Sequence, residues 1–187
     1  MELIIIAGPN GSGKSTLASQ LNLECDFISA DKCEKTLLSH ITNKEERELK
    51  ATMYVAKAIK TAIAEKKDFA FETVFAANTI PSFLKKAKEN GYTITLHYVA
   101  TNDSEINIQR VAKRVSEGGH DVPRQKIVER YSETLINLPH LIRFVDTAII
   151  YDNSYETLQS FLIKEENQIK IIGVVPNWAT KIIEKLV

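Results

Sequence analysis

Neither sign of charge predominates in this chain of 187 residues: 24 lysines and arginines balance 24 aspartates and glutamates. That balance excludes a general pull towards nucleic acid or anionic lipid, so any anion binding must be local. Cysteine is scarce, with Cys25 and Cys33 alone, neither in a C-x-x-C pair nor beside metal-spaced histidines. A disulfide framework and a zinc site are thereby excluded, and reduced thiols in the cytosol are expected. Long apolar runs are missing too. The N-terminal "LIIIA" is too short for a signal-peptide core and follows Glu2, where a positive charge would be needed. No stretch approaches membrane-spanning length, and the chain reads as soluble and cytoplasmic. Internal repeats and linkers are absent, so one domain over residues 1–187 is expected, long enough to bury a core without disulfides or metal.

What is present is an alternation of short apolar stretches with amphipathic ones. Residues 2–7, 26–30, 69–74, 92–100 and 147–152 read as five buried strands. Between them a helix is expected over 44–67, with Leu49, Met53, Ala56, Ile59 and Ile63 on its apolar face and Thr42 with Glu45 as a capping box. Further helices are expected from Pro81 to the stop at Asn90 and Gly91, from about Asp103 to Glu117, and from Pro123 to just before Pro139. The last carries Ile127, Tyr131, Leu135 and Leu138 on one stripe. This rhythm implies βαβ units and an α/β fold: a five-stranded, mostly parallel sheet with helices on both faces. Residues 161–173 break it, reading as an edge hairpin that turns at Glu166 and Asn167, and "PNWATKIIEKLV" closes the chain as a helix anchored by Trp178. Hairpin and helix together occupy about 158–187.

Directly after the first strand comes "GPNGSGKST", which matches the phosphate-binding pattern G-x-x-x-x-G-K-[ST]. Phosphate oxygens need several close donors, and the backbone N–H groups of a tight turn at a helix N-terminus supply them. Gly8, Pro9, Asn10, Gly11, Ser12, Gly13, Lys14, Ser15 and Thr16 therefore form the expected nucleotide cradle. Lys14 has the reach for the outer phosphates, and the Ser15 hydroxyl suits a Mg²⁺ shell. A ligand-free glycine turn is the bland alternative; the preceding strand and following helix speak against it.

In an open parallel sheet the ligand lies beyond the carboxyl ends of the strands. Asp31 follows the second strand, where it suits the base that accepts a proton from an attacking hydroxyl; an N-cap is the competing account. Glu72, in "FAFETVF", is costly to bury unless it meets a ligand or an ion-pair partner. Neither carboxylate fits a Walker B pattern, so which of them orients a metal stays open. Residues 109–131 carry Arg110, Arg114, Arg124 and Arg130 around Gly118 and Gly119. Arg110 and Arg114, four apart, project together, opposite Ile108, Val111 and Val115. A mobile lid bringing arginines to a transferring phosphoryl group competes here with an ordinary solvated helix face. His120 is equally a loop cap or a catalytic group.

The order "GPNGSGKST", "ISADKC", "FETVF", "RVAKRVSEGGHDVPRQKIVERY" and "YDNS", over residues 3 to about 154, resembles the zeta toxin family of P-loop kinases. The resemblance implies a nucleotide-kinase-like fold and phosphorylation of a sugar hydroxyl of UDP-N-acetylglucosamine. It implies ATP or GTP with Mg²⁺ as cofactors, an antitoxin as a protein partner, and no nucleic acid or membrane. Carried over, Lys14 and Ser15 become the nucleotide and metal contacts, with Asn153 and Arg114 beside the nucleotide. Asp31 becomes the base, Thr73 a substrate contact, Glu72 either a substrate contact or a support behind one, and Arg110 with Arg124 the phosphate clamp, for which Arg114 competes. The chain departs from the better-known toxins in its length, its lid segment and its terminal hairpin. Two other readings compete with a small-molecule kinase. One is a nucleotide-hydrolysing switch, in which Asp31 or Glu72 positions water. The other, a nucleic-acid end kinase, lacks the long basic track it needs.

Overall fold

The computed structural model describes residues 1–76 and 79–186. All five expected strands form: β1 (Glu2–Ala7), β2 (Asp26–Ile28), β3 (Phe69–Thr73), β4 (Thr93–Ala100) and β5 (Thr147–Asp152). They pair in parallel in the order β2-β3-β1-β4-β5. The hairpin β6 (Gln159–Glu165) and β7 (Gln168–Ile171) lies on the edge of this sheet, as expected. Strand β6 pairs antiparallel with β5, so the sheet has seven strands rather than five. The reason is that β5 offers an unpaired edge and β6 brings apolar side chains to bury, Phe161 and Leu162, both 1% exposed.

The helices are α1 (Lys14–Gln20), α2 (Ala30–Thr36), α3 (Lys44–Ala64), α4 (Ser82–Glu89), α5 (Ser104–Ser116), α6 (Arg124–Phe144) and α7 (Thr180–Leu186). A 3-10 turn, Asn177–Ala179, leads into α7; Val187 lies outside the described residues. One core joins the inward faces of the strands to Ile59 of α3, Leu84 of α4, Leu138 of α6 and Ile182 of α7. Leu17 and Ala18 of α1 are buried outside that cluster, and Val111, Val122 and Ile127 form a second, smaller one. Trp178 anchors the C-terminal segment: its ring meets Phe161 edge-on at 5.5 Å and its Nε1 donates to Asp152 Oδ1 at 2.9 Å. Among the described residues no helix is long and apolar enough to cross a membrane.

Three local expectations are corrected. Helix α3 is capped by Asn43, whose Oδ1 accepts from Glu46 N at 3.0 Å, rather than by Thr42 and Glu45. Its stripe is buried only at the far end: Ile59 and Ile63 are in the core, whereas Leu49 and Met53 are 62% and 64% exposed and Ala56 is exposed too. Only the C-terminal half of α3 packs on the sheet. Helix α6 does not stop before Pro139 but runs through it to Phe144. An internal proline costs about 3 kcal/mol, and full burial of Leu138, Leu141 and Ile142 outweighs that at roughly 1.5–3 kcal/mol each.

Candidate active site

Strand β1 lies between β3 and β4, and the order of the strands reverses there, so a crevice opens beyond its carboxyl end. The phosphate-loop sequence spans that point. Gly8 has φ 143, and a Cβ there would lie 2.0 Å from Val99 O, so β4 itself forbids a side chain. Gly13, φ 103, caps α1, and a Cβ on it would meet Asn153 Nδ2 at 2.3 Å. The crevice is a cleft of about 540 Å³ whose floor is Asn10, Gly11, Gly13, Lys14, Ser15 and Thr16. Gly8, Pro9 and Ser12 are buried beneath this floor.

Lys14 is 7% exposed, and its Nζ donates to Pro9 O at 2.9 Å. Burial pushes its pKa down, while Glu72 and Asp31 pull it back up. The Ser15 hydroxyl lies 3.0 and 3.1 Å from the two Glu72 carboxylate oxygens, to which it can donate. Glu72 therefore meets the phosphate loop rather than an ion-pair partner, and Thr73 lines the cleft beside it. Asp31 is not a cap: Ser29 precedes α2, and Asp31 stands in the first turn with its side chain on the cleft and no hydrogen bond or ion pair. Asp31, Glu72, Lys14 and Ser15 thus converge on one space.

Helix α5 turns Arg110 and Arg114 into the same cleft. Arg114 donates from its NH2 nitrogen to His120 O at 2.6 Å, but its Nε and the NH1 nitrogen of Arg110 are buried with no partner. Buried donors of this kind are costly unless a ligand meets them. Arg124 is elsewhere: it is exposed and bridges to Glu105 at 2.8 Å, outside the cleft. Arg130 takes the place the sequence reading gave to Arg124, lining the cleft and donating to Asn10 Oδ1 at 3.2 Å. Helical spacing held the signal, since Arg130 shares a face with Lys126, four residues before it, and not with Arg124. Asn153 does not line the cleft; its Nδ2 donates to Ser12 O at 2.7 Å and so braces the loop from below.

The sequence reading also missed the far wall. Glu34 of α2 and Glu48 of α3 line it, with His120 Nδ1 3.7 Å from Glu34 Oε2 and Nε2 3.9 Å from Glu48 Oε1. Arg47 Nε sits 3.4 Å from the same Glu34 oxygen. Nothing in the local sequence marked Glu34 or Glu48, which are brought to the cleft by packing of α2 on α3.

A family model described as zeta toxin matches residues 2–169. An uncharacterised protein of Haemophilus influenzae is 33% identical over 128 residues, which is 68% of this chain and 91% of that protein. Two solved structures share the fold. One, from the PezAT chromosomal toxin-antitoxin system of Streptococcus pneumoniae, aligns with a TM-score of 0.62 at 19% identity over 81% of this chain and 68% of the other. The second, AvrRxo1-ORF1:-ORF2 with ATP, aligns with a TM-score of 0.73 at 13% identity over 99% of this chain and 63% of the other.

Proposed function

The chain belongs to the zeta toxin family, and from that premise we propose that it is an ATP-dependent P-loop kinase that phosphorylates a hydroxyl of a small molecule. The observation that carries this reading is the arrangement of an unpaired carboxylate, Asp31, across one cleft from Lys14, Arg110, Arg114 and Arg130. A carboxylate that shares one cleft with several cations suits attack of an alcohol on a phosphoryl group.

The glycine-walled floor and the unpartnered donors of Arg110 and Arg114 fit a triphosphate. A Mg²⁺ ion fits the oxygen set of Ser15 and Glu72, and among the described residues no group of three or more carboxylates, histidines and cysteines forms a fuller protein cage. When bound, such an ion neutralises charge on the β- and γ-phosphates. Asp31 accepts the proton from the acceptor hydroxyl. The acceptor oxygen bonds to the γ-phosphorus, the bond from that phosphorus to the bridging oxygen breaks, and its electron pair leaves on ADP. Lys14, Arg110, Arg114 and Arg130 stabilise the charge spread over the equatorial oxygens. We read residues 109–131 as the lid and Asn153 as the brace that keeps the loop in register.

For the acceptor, the family resemblance points to UDP-N-acetylglucosamine or another nucleotide sugar, and for a partner to an antitoxin acting in the cytoplasm. Purified protein given ATP, Mg²⁺ and a panel of UDP-sugars, nucleosides and free sugars is expected to add one phosphoryl mass to one of them. Lys14→Ala and Asp31→Asn should each abolish the shift, and Asp31→Asn should keep ATP affinity within about threefold. Full transfer by Asp31→Asn would remove the base assignment. Phosphate release onto water alone would replace the kinase by the hydrolysing switch.

A further inference from the structure

Helix α3 carries an apolar stripe that lies open to solvent. Leu49, Met53 and Ala56 stand on successive turns, and all three are exposed because only the C-terminal half of the helix packs on the sheet. Single exposed apolar residues are ordinary, but three on one face of one helix form a patch. The cleft does not use them. Glu48 and Val55 of the same helix line the cleft, and they lie about 100° or more round the helix axis from Leu49 and Ala56.

The stripe continues into charge of opposite sign at its two ends. Glu45, Leu49, Met53, Ala56 and Lys60 fall within about 80° of one another on a helix. Neighbouring charges are paired within the chain, Glu46 with Lys50 at 2.8 Å and Lys44 with Glu48 at 3.8 Å. Glu45 and Lys60 are not: both are exposed, and among the described residues neither side chain has an ion pair or a hydrogen bond. A face that reads acid, apolar, apolar, apolar, base complements itself when reversed. Laid antiparallel, two copies of α3 place Glu45 of each against Lys60 of the other, Leu49 against the smaller Ala56, and the two flexible Met53 side chains together at the two-fold axis. A parallel pairing sets Glu45 against Glu45 and Lys60 against Lys60, so the charges choose the direction.

We propose that the exposed face of α3 is the interface of a symmetric dimer, in which the α3 helices of two copies of this chain pack antiparallel along residues 45–60. About four turns of helix bury less than the roughly 800 Å² per partner of a standard interface, so the dimer is a weak one, with a Kd of about 10–100 µM.

Sedimentation equilibrium of the whole protein from about 1 to 500 µM tests this, and a reversible equilibrium between monomer and dimer is the expected result. A chain that stays monomeric across that range overturns the proposal and leaves the stripe to a different protein. Met53→Lys sets two ammonium groups side by side and should weaken the dimer at least about tenfold. A dimer indifferent to that change uses another face, which overturns the proposal as well. Charge reversal reads the direction of packing. Glu45→Lys and Lys60→Glu each set like charges opposite one another twice per dimer, so each variant alone should self-associate about tenfold more weakly than the parent. An equal mixture of the two restores opposite charges at both contacts and should form a mixed dimer within about threefold of the parent's affinity. A mixture that associates no more tightly than its components refutes the antiparallel pairing. All three positions are exposed, so circular dichroism should show each variant folded like the parent.

Discussion

Replacing Arg130 by methionine removes a guanidinium that lines the cleft and holds Asn10 of the phosphate loop, with little change in side-chain volume. The same change at Arg124 removes an exposed guanidinium paired with Glu105. A cation about 4 Å from a phosphate oxygen at an effective dielectric of about 20 is worth about 4 kcal/mol, close to three decades in rate. Lys14, Arg110, Arg114 and Lys126 share the same charge, so a loss of about 10²–10³ in kcat/KM is expected for Arg130→Met. The exposed pair at Arg124 contributes at most about 1 kcal/mol, so Arg124→Met should stay within about fivefold of the parent. A coupled assay of ADP formation reads both, and Arg130→Lys, which keeps charge without the fork, should fall between them. A large loss at Arg124 with none at Arg130 would refute this assignment of the clamp.

Other consequences are structural. Gly8→Ala drives a methyl into Val99 O and should cost at least about 3 kcal/mol, lowering Tm by roughly 6–12 °C in calorimetry. Trp178→Phe loses the bond to Asp152 and about 1–2 kcal/mol, measured by urea unfolding, with ATP affinity unchanged. Burial lowers the pKa of His97 from 6.5 to about 4. His97 is neutral in both states above the unfolded value. Between about pH 6.5 and 4 the unfolded chain takes up a proton that the native protein refuses, so stability should fall by up to about 3 kcal/mol across that window. A His97→Leu variant should lack this part of the acid slope; an unchanged slope would mean that His97 is not its source.

Much of the fold was legible because its signals are local. Five apolar runs of strand length, and a glycine-rich turn that only a backbone needing φ above zero would use, require no knowledge of distant residues. The same locality explains the failures. The hairpin was placed on the sheet's edge, but that it extends the sheet to seven strands by pairing with β5 is something no local pattern encodes. Pro139 read as a stop because the burial that outweighs it, at Leu138, Leu141 and Ile142, is a tertiary quantity. Leu49 and Met53 have helical spacing yet remain exposed, since periodicity marks a face without saying what covers it.

The site divides along the same line. By itself the sequence determined the phosphate loop, because Gly8, Gly11, Gly13, Lys14 and Ser15 make one turn whose chemistry is complete within nine residues, and it marked Asp31 by its place after a strand and Glu72 as an acid among apolar residues at a strand's end. Only the tertiary structure decided which arginines face the cleft and that Glu34, Glu48 and His120 close its far side. Side chains on separate helices share a space only after the helices have packed, and a helix turns about 100° per residue, so neighbours in sequence as close as Arg124 and Arg130 can end on opposite sides of the wall.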